Sequence, residues 1–305
     1  MILLYLKGRI GNQLFMFAFA EALRQKFGKN EKIIIDDTEV LETNWVDSLL
    51  SYNLPNVEFV HTHDLLNSKE FSKQKFWKRV YGKLVRNADY NKKFKIEKLF
   101  QRLFNIMGLY VCENGFLKVT KSFTKNKLLE GYFQSEDYFA NCKELIKNQF
   151  DLSTQLEQYN YPGLEELKKR NSVCISIKVE HNVGSSLFDV CNDGYWEDAI
   201  KYITDHVQDP LFFICSDNVD YVKEHLIDCS KYDTICQDKK APVEISMAAM
   251  SCCKHFIIGN TSFGWWAQYL SKKPIEEKLM IAPSKWMKVE MPVDIYQPNW
   301  TLIQV

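Results

Sequence analysis

The sequence predicts an α/β protein of two halves, and three observations carry this. The chain has 305 residues, enough for one large domain or two ordinary ones. Residues 2–35 read as strand, helix, strand, the spacing of a βαβ unit. From about residue 170 to 285, short apolar strands alternate with helices, the pattern of a parallel sheet with right-handed crossovers.

The first strand is predicted over Ile2–Leu6. The Gly8-Arg9-Ile10-Gly11 turn follows, and a helix with Asn12 as N-cap runs to about Phe27. Phe15, Ala18, Phe19, Ala22 and Leu23 recur at helical spacing in it, and Ile33–Ile35 is the second strand, closed by Asp36 and Asp37. The second half predicts strands over Val173–Ile177, Leu211–Cys215, His255–Ile258 and Lys278–Ala282. Helices are predicted over Gly194–Val207, Pro242–Cys253 and Thr261–Leu270. The polar stretch Ser153–Gly163 ends in Pro-Gly and is expected to connect the halves. The expected organisation is an N-terminal α/β half, 1–155, a C-terminal α/β half, 156–290, and a tail, 291–305, that packs back.

The chain is 46% hydrophobic and 26% charged, enough to bury a core. It holds 39 Lys+Arg and 39 Asp+Glu, a net charge of zero that argues against a general nucleic-acid binder. The zero is a cancellation. Residues 69–98 hold eleven Lys or Arg against Glu70, Asp89 and Glu97, a net +8. Phe71, Phe76, Trp77, Val80, Tyr81, Leu84 and Val85 are interleaved there at helical spacing. This stretch reads as a solvated helix face with a core-facing stripe, as a basic amphipathic surface for anionic lipid headgroups or, third, as a nucleic-acid contact.

The nine cysteines have no C-x-x-C spacing and are expected as buried, reduced thiols of a cytosolic protein. The apolar N-terminus is interrupted by Lys7, Gly8 and Arg9, and the run from Ile10 to Leu23 falls short of a membrane span. The expectation is a soluble, cytoplasmic chain.

Ligands of open parallel sheets bind beyond the carboxyl ends of the strands. The polar residues there are Lys178, Glu180 and His181, then Ser216 and Asp217, then Asn260, Thr261 and Ser262. The last three open a helix, whose free N–H groups and small hydroxyls suit an anion. A Lys on the neighbouring strand can neutralise phosphate, and an Asp can accept from a base or ribose. The set suits a nucleotide diphosphate, and equally a row of strand-end caps and turn residues. No G-x-x-x-x-G-K-[ST], G-x-G-x-x-G or D-x-D occurs, and the six histidines form no H-x-x-x-H pair. His61 and His63 read as a polar loop rather than a metal pair, so a metal-independent site without a cofactor is expected.

Four segments resemble the bacterial alpha-1,2-fucosyltransferases, glycosyltransferase family 11. Lys7–Phe15 (KGRIGNQLF) is similar to its N-terminal G-G-L-G-N-Q-M-F motif. Gly131–Ser135 with Tyr138-Phe139 is similar to G-Y-F-Q-S…Y-F, and Phe213–Asp217 to F-x-x-S-D. Met250–Trp266 (MSCCKHFIIGNTSFGWW) is similar to M-S-x-C-x-x-x-I-x-x-N-S-T-F-S-W-W. Asp294–Trp300 suits the closing segment. One motif departs: where the family has H-x-R-R-x-D, this chain has Ser176, Lys178, Val179 and His181 at the four named positions. Lys178 keeps a charge without the planar fork of Arg. The departure leaves three outcomes open: another GDP-sugar, weaker GDP-fucose binding, or a degenerate relative.

The resemblance implies a GT-B-like fold, two Rossmann-like halves facing a cleft, with the acceptor on the N-terminal half and the GDP-sugar on the C-terminal half. It implies an inverting transfer of fucose or a related 6-deoxy sugar, alpha-1,2 on galactose, to a surface-polysaccharide precursor. The donor-binding residues it implies are Gly11, Asn12, Gln13, Ser176, Lys178, Ser216, Asp217, Asn260, Thr261, Ser262 and Phe263. Gly11 would let the backbone approach the donor. Inversion needs a base for the acceptor hydroxyl and positive charge on the leaving diphosphate. Glu180 and Asp189 rank first as base, His181 and Asp193 after them, and Lys178 fits the second role. Trp265 and Trp266 read as core or as a sugar platform. A lipid-linked oligosaccharide acceptor at the inner membrane face would make residues 69–98 a peripheral membrane contact; the alternatives are a different nucleotide-sugar donor or a non-catalytic glycan-binding relative.

Overall fold

The computed structural model describes every residue except Asn192, and Asp193 by its backbone alone. The chain divides into two compact units: Met1–Phe150 with Glu290–Tyr296, and Asp151–Val289 with Gln297–Val305.

The first unit is built on five parallel strands: β1 (Ile2–Tyr5), β2 (Ile33–Asp36), β3 (Val57–Val60), β4 (Leu109–Cys112) and β5 (Lys127–Gly131). Their order is β3-β2-β1-β5-β4. Strands covered on both faces need unbroken apolar runs, and Ile2, Leu3 and Leu4 of β1 and all of β2 are buried. Helix α1 (Ile10–Phe27) crosses from β1 to β2. Its apolar residues run round most of its circumference, so it is a buried helix rather than an amphipathic one, with Glu21 and Arg24 paired inside. Helices α2 (Ser72–Val85) and α3 (Tyr90–Ile106) cover another part of the sheet. Trp77, Tyr81, Phe100 and Phe104 from these helices pack with Leu3, Leu109 and Leu128.

The second unit has six parallel strands: β6 (Asn171–Ile177), β7 (Pro210–Ser216), β8 (Thr234–Cys236), β9 (His255–Ile258), β10 (Met280–Pro283) and β11 (Thr301–Ile303). Their order is β11-β10-β9-β6-β7-β8. The chain runs outward from β6 to β8, then returns to β9 on the other side of β6. This is the doubly wound order of nucleotide-binding α/β sheets, with its switch point between β6 and β9. Helix α4 (Ser153–Tyr159) precedes β6, and α5 (Asp193–His206), α6 (Val243–Ser251) and α7 (Ser262–Leu270) follow as crossovers. Trp196, Ile200 and Ile203 are buried against Val173, Ile175 and Ile257, as their spacing predicts.

Three local expectations are revised. Asn12 lies inside α1, whose N-cap position is Arg9. The left-handed glycine of that turn is Gly8, φ +77°, whereas Gly11 sits in the helix outside that region. The polar stretch 153–163 is helical over Ser153–Tyr159, because Leu156 supplies a buried anchor.

All nine cysteines are free. Burial raises the Cys174 and Cys253 thiols well above their ordinary range. Among the described residues, no helix is long and apolar enough to cross a membrane.

Candidate functional site

The switch point of the second unit gathers the ends of β6 and β9 and the start of α7. Register pairs Ser176 with Ile258, and Gly259 N–H donates to Ser176 O at 2.9 Å. Helix α7 begins beside them because Thr261 caps it: its Oγ1 accepts from Gly264 N–H at 3.1 Å. A Cβ on Gly264 would stand 2.9 Å from both Ile258 Cγ2 and Ser176 Oγ. Glycine there lets the helix seat against β6 and β9, the close helix–strand approach on which nucleotide-binding βα turns depend.

The sequence-chosen residues separate by role. Lys178 is half-buried just past β6, and Ser262 and Phe263 are half-buried in the first turn of α7. They follow the ends of the neighbouring strands β6 and β9 and are partly accessible, one supplying a cation and the others the first turn of a helix. Ser176, Ser216 and Thr261 are buried. Ser216 Oγ accepts from Asn218 N–H at 3.0 Å, and its carbonyl accepts from Gln237 Nε2 at 2.6 Å. Asp217 is exposed, and its Oδ1 accepts from the N–H groups of Val179 at 2.7 Å and Glu180 at 3.3 Å. It therefore fixes the path of the chain leaving β6.

Asn260 is spent on structure. Its Nδ2 donates to Phe188 O and Trp286 O, both at 2.9 Å, and its Oδ1 accepts from Asn182 Nδ2 at 3.1 Å. One amide thus ties residues 182–191, the loop beyond β6, to the end of β9. Nothing in the local spacing singles out Asn182 or Trp286; only their convergence on Asn260 does.

The candidate bases differ in the same way. Asp189 Oδ2 accepts from Gly184 N–H at 3.1 Å and lies 3.7 Å from Lys288 Nζ, so it closes the loop. Glu180 is exposed, with its backbone on Asp217. His181 is exposed and left-handed, φ 68°. The Asp193 side chain is outside the described residues. Trp265 and Trp266 are wholly buried and pack on Tyr269, which makes them core rather than a sugar platform.

In the first unit the carboxyl ends of β1 and β5 lie side by side. Lys7, just past β1, sits 4.5 Å over the Tyr132 ring and 3.4 Å from Glu113. Burial opposes its charge, but Glu113 and Tyr132 outweigh burial and raise its pKa. Gln134 Nε2 donates to Asn12 Oδ1 at 2.7 Å, joining two of the resemblance segments. Gln13 is buried: it donates to Gly8 O and Val46 O at 2.9 Å each and accepts from Ser48 N–H at 2.9 Å. At the ends of β2 and β3, His61 Nδ1 lies 2.8 Å from Asp37 and His63 Nδ1 2.9 Å from Asp36, so each expected loop histidine is paired with a buried carboxylate. Nearby, burial pushes Asp47 up to about 7, against the Leu49 N–H and with Asp37 adding to the rise.

Comparisons with known proteins agree with this architecture. A family model described as Glycosyl transferase family 11 matches residues 1–304. The chain is 24% identical to the alpha-1,2-colitosyltransferase of Escherichia coli, covering 93% of this chain and 92% of that one. It is also 24% identical to the O-antigen biosynthesis glycosyltransferase WbnK of Escherichia coli, over 97% and 98%. Galactoside alpha-(1,2)-fucosyltransferase 1 of Aotus nancymaae is 23% identical over 56% of this chain and 51% of that one. Among solved structures, NodZ alpha-1,6-fucosyltransferase soaked with GDP-fucose superposes with TM-score 0.53 at 12% identity, covering 88% and 91%. At that identity the likeness is one of fold, and the fold class is GT-B-like.

Proposed function

Because this chain belongs to glycosyl transferase family 11, we propose that this glycosyltransferase moves fucose or a related deoxyhexose from a GDP-sugar to a hydroxyl of a surface-glycan precursor, with inversion at the anomeric carbon. The colitosyl- and fucosyltransferase names of its relatives support the sugar class, and the GDP-fucose-soaked structural relative supports the nucleotide. The observation that carries the reading is the doubly wound switch point with Lys178 and the start of α7 beside it.

In this reading the leaving diphosphate rests on the first turn of α7, at Ser262 and Phe263, with the Lys178 ammonium as counter-charge. No metal is invoked. Glu180 is the base that takes the proton of the attacking hydroxyl, since Asp189 is held by Gly184 and Lys288. Asn260 and Asp217 shape the pocket from behind and do not touch the donor. The acceptor hydroxyl is the 2-OH of a terminal galactose on a lipid-linked or free oligosaccharide.

A second reading changes the donor. Ser176, at the family's His position, is buried and closed over by α7. The family resemblance implies that this His helps hold the guanine; with it replaced, the pocket selects a nucleotide other than GDP.

Calorimetry with GDP, UDP, ADP and CMP separates the readings. GDP-selective binding with GDP release from GDP-fucose or GDP-colitose supports the first, and selectivity for another nucleotide supports the second. No nucleotide binding at all sinks both. The anomeric configuration of the product, read by NMR, tests inversion. Lys178→Ala should weaken nucleotide binding by about tenfold or more, and Glu180→Gln should cut kcat with KM little changed.

A further inference from the structure

Helices α2 and α3 are antiparallel: Trp77 meets Phe104 at 6.2 Å between ring centroids, and Tyr81 O–H donates to Glu97 at 2.6 Å. Their inner sides are core. Their outer sides are unusual in two respects. Lys73, Arg79, Lys83, Arg86, Lys92, Lys95, Lys98 and Arg102 are all exposed, and among the described residues none of them has an ion pair. The only acids between residues 72 and 106 are Asp89, which caps α3 through Lys92 N–H, and the buried Glu97. Large apolar side chains also stand in water between these cations: Phe76 57% exposed, Leu84 40%, Leu99 75% and Leu103 39%. Phe76, Val80 and Leu84 are spaced i, i+4, i+8, so they form one line along α2; Leu99 and Leu103 do the same on α3. A turn bearing exposed Lys121, Phe123 (82% exposed) and Lys125 joins the end of α3, where Phe123 N–H donates to Ile106 O.

We propose that this outer side is a docking surface for an anionic lipid bilayer. A face kept only for solubility mixes both signs of charge and does not expose leucines. Unpaired cations alone would suit any polyphosphate. Leucines among them need a partner that offers both anionic groups and an apolar layer beneath, which a bilayer interface does and a nucleic-acid backbone does not. The cations lie on headgroup phosphates while Phe76, Leu99, Leu103 and Phe123 reach the acyl boundary. None of these residues belongs to the switch point of the second unit, so the surface is independent of the donor reading.

The test uses the full chain and extruded vesicles, either phosphatidylcholine alone or equimolar phosphatidylcholine and phosphatidylglycerol. The protein should sediment with the anionic vesicles and stay in solution with the neutral ones, and molar salt should release most of it. With Arg79→Glu, Lys83→Glu, Lys95→Glu and Lys98→Glu combined, binding should fall at least ~100-fold. With Leu99→Ser, Leu103→Ser and Phe123→Ser combined, it should fall ~10-fold or more at unchanged charge. All seven side chains are exposed, so circular dichroism should stay that of the parent, and single Lys→Ala changes give graded losses if a combined variant unfolds. Equal sedimentation with both vesicle types, or none with either, would overturn the proposal. So would duplex DNA displacing the protein from vesicles while the apolar variant binds both like the parent, which would assign the face to nucleic acid.

Discussion

Asn260→Ala isolates what this side chain does at the switch point. The parent amide donates to Phe188 O and Trp286 O at 2.9 Å and accepts from Asn182 at 3.1 Å, and Asn260 and Asn182 are both buried. Removing it orphans two carbonyls and one amide. Each buried orphan costs ~1–3 kcal/mol, and partial access of water to the void lowers the sum, so the expected loss is ~3–5 kcal/mol. A domain has only ~5–15 kcal/mol to lose. Urea unfolding followed by tryptophan fluorescence reads mainly the second unit, which holds five of the seven tryptophans, Trp196, Trp265, Trp266, Trp286 and Trp300. Limited proteolysis should show residues 182–191 cut sooner. Asn260→Asp keeps the size but cannot donate to two carbonyls, so it should not rescue stability at neutral pH. A stability change under ~1 kcal/mol together with complete loss of nucleotide binding would refute the reasoning. The amide would then face the ligand, not the loop.

Further expectations concern backbone approach and pH. Gly131, φ +146°, would place a Cβ 2.1 Å from Cys112 O, so Gly131→Ala must part β4 from β5 and should cost about 3 kcal/mol or more, read by urea unfolding. His255 is pushed down to about 4 by burial and by Lys273 and Lys254, and its Nδ1 accepts from Leu279 N–H. A depressed histidine gives stability that is present above about 6.5 and lost as pH falls toward 4, so His255→Asn should flatten that limb of a Tm-against-pH curve. Asp47, raised to about 7, has the opposite sign: its contribution is present below about 4 and lost as pH rises through 7. Asp47→Asn should therefore stabilise the chain at pH 8 more than at pH 5; a gain equal at both would mean that Asp47 is not the titrating group.

Most of the second sheet was legible because its strands are apolar runs bounded by turn residues. His255–Ile258 is found where expected, and Val173–Ile177 and Leu211–Cys215 differ from β6 and β7 only at their ends. The short strands β3, β4, β5, β8 and β11 were not legible. Lys127-Leu-Leu-Glu-Gly and Thr234-Ile-Cys carry too few apolar residues to show a period, and they become strands because neighbours supply their hydrogen bonds. Site residues divide on the same ground. Lys178 and the start of α7 could be placed by counting from strand ends, because topology dictates where strand ends gather. The commitments of Asn260, Gln13, Asp189 and Asp217 to loop carbonyls and N–H groups could not, because a polar residue after a strand reads alike whether it faces ligand or chain.

The sequence alone determined the two α/β halves, the parallel pairing of the second sheet, and a net +8 in residues 69–98 beneath a total of zero, and its four motif segments carried the resemblance to the family. Composition, period, order and motif are properties of the chain that need no third dimension. Tertiary structure decided which cations of that stretch stand unpaired beside exposed leucines and which, like Lys78 on Glu130, are paired. It also decided that Trp265 and Trp266 are core, and which strand-end polar groups already have partners. Pairing and burial are relations between residues distant in the chain, and only the packed chain brings them within reach of each other.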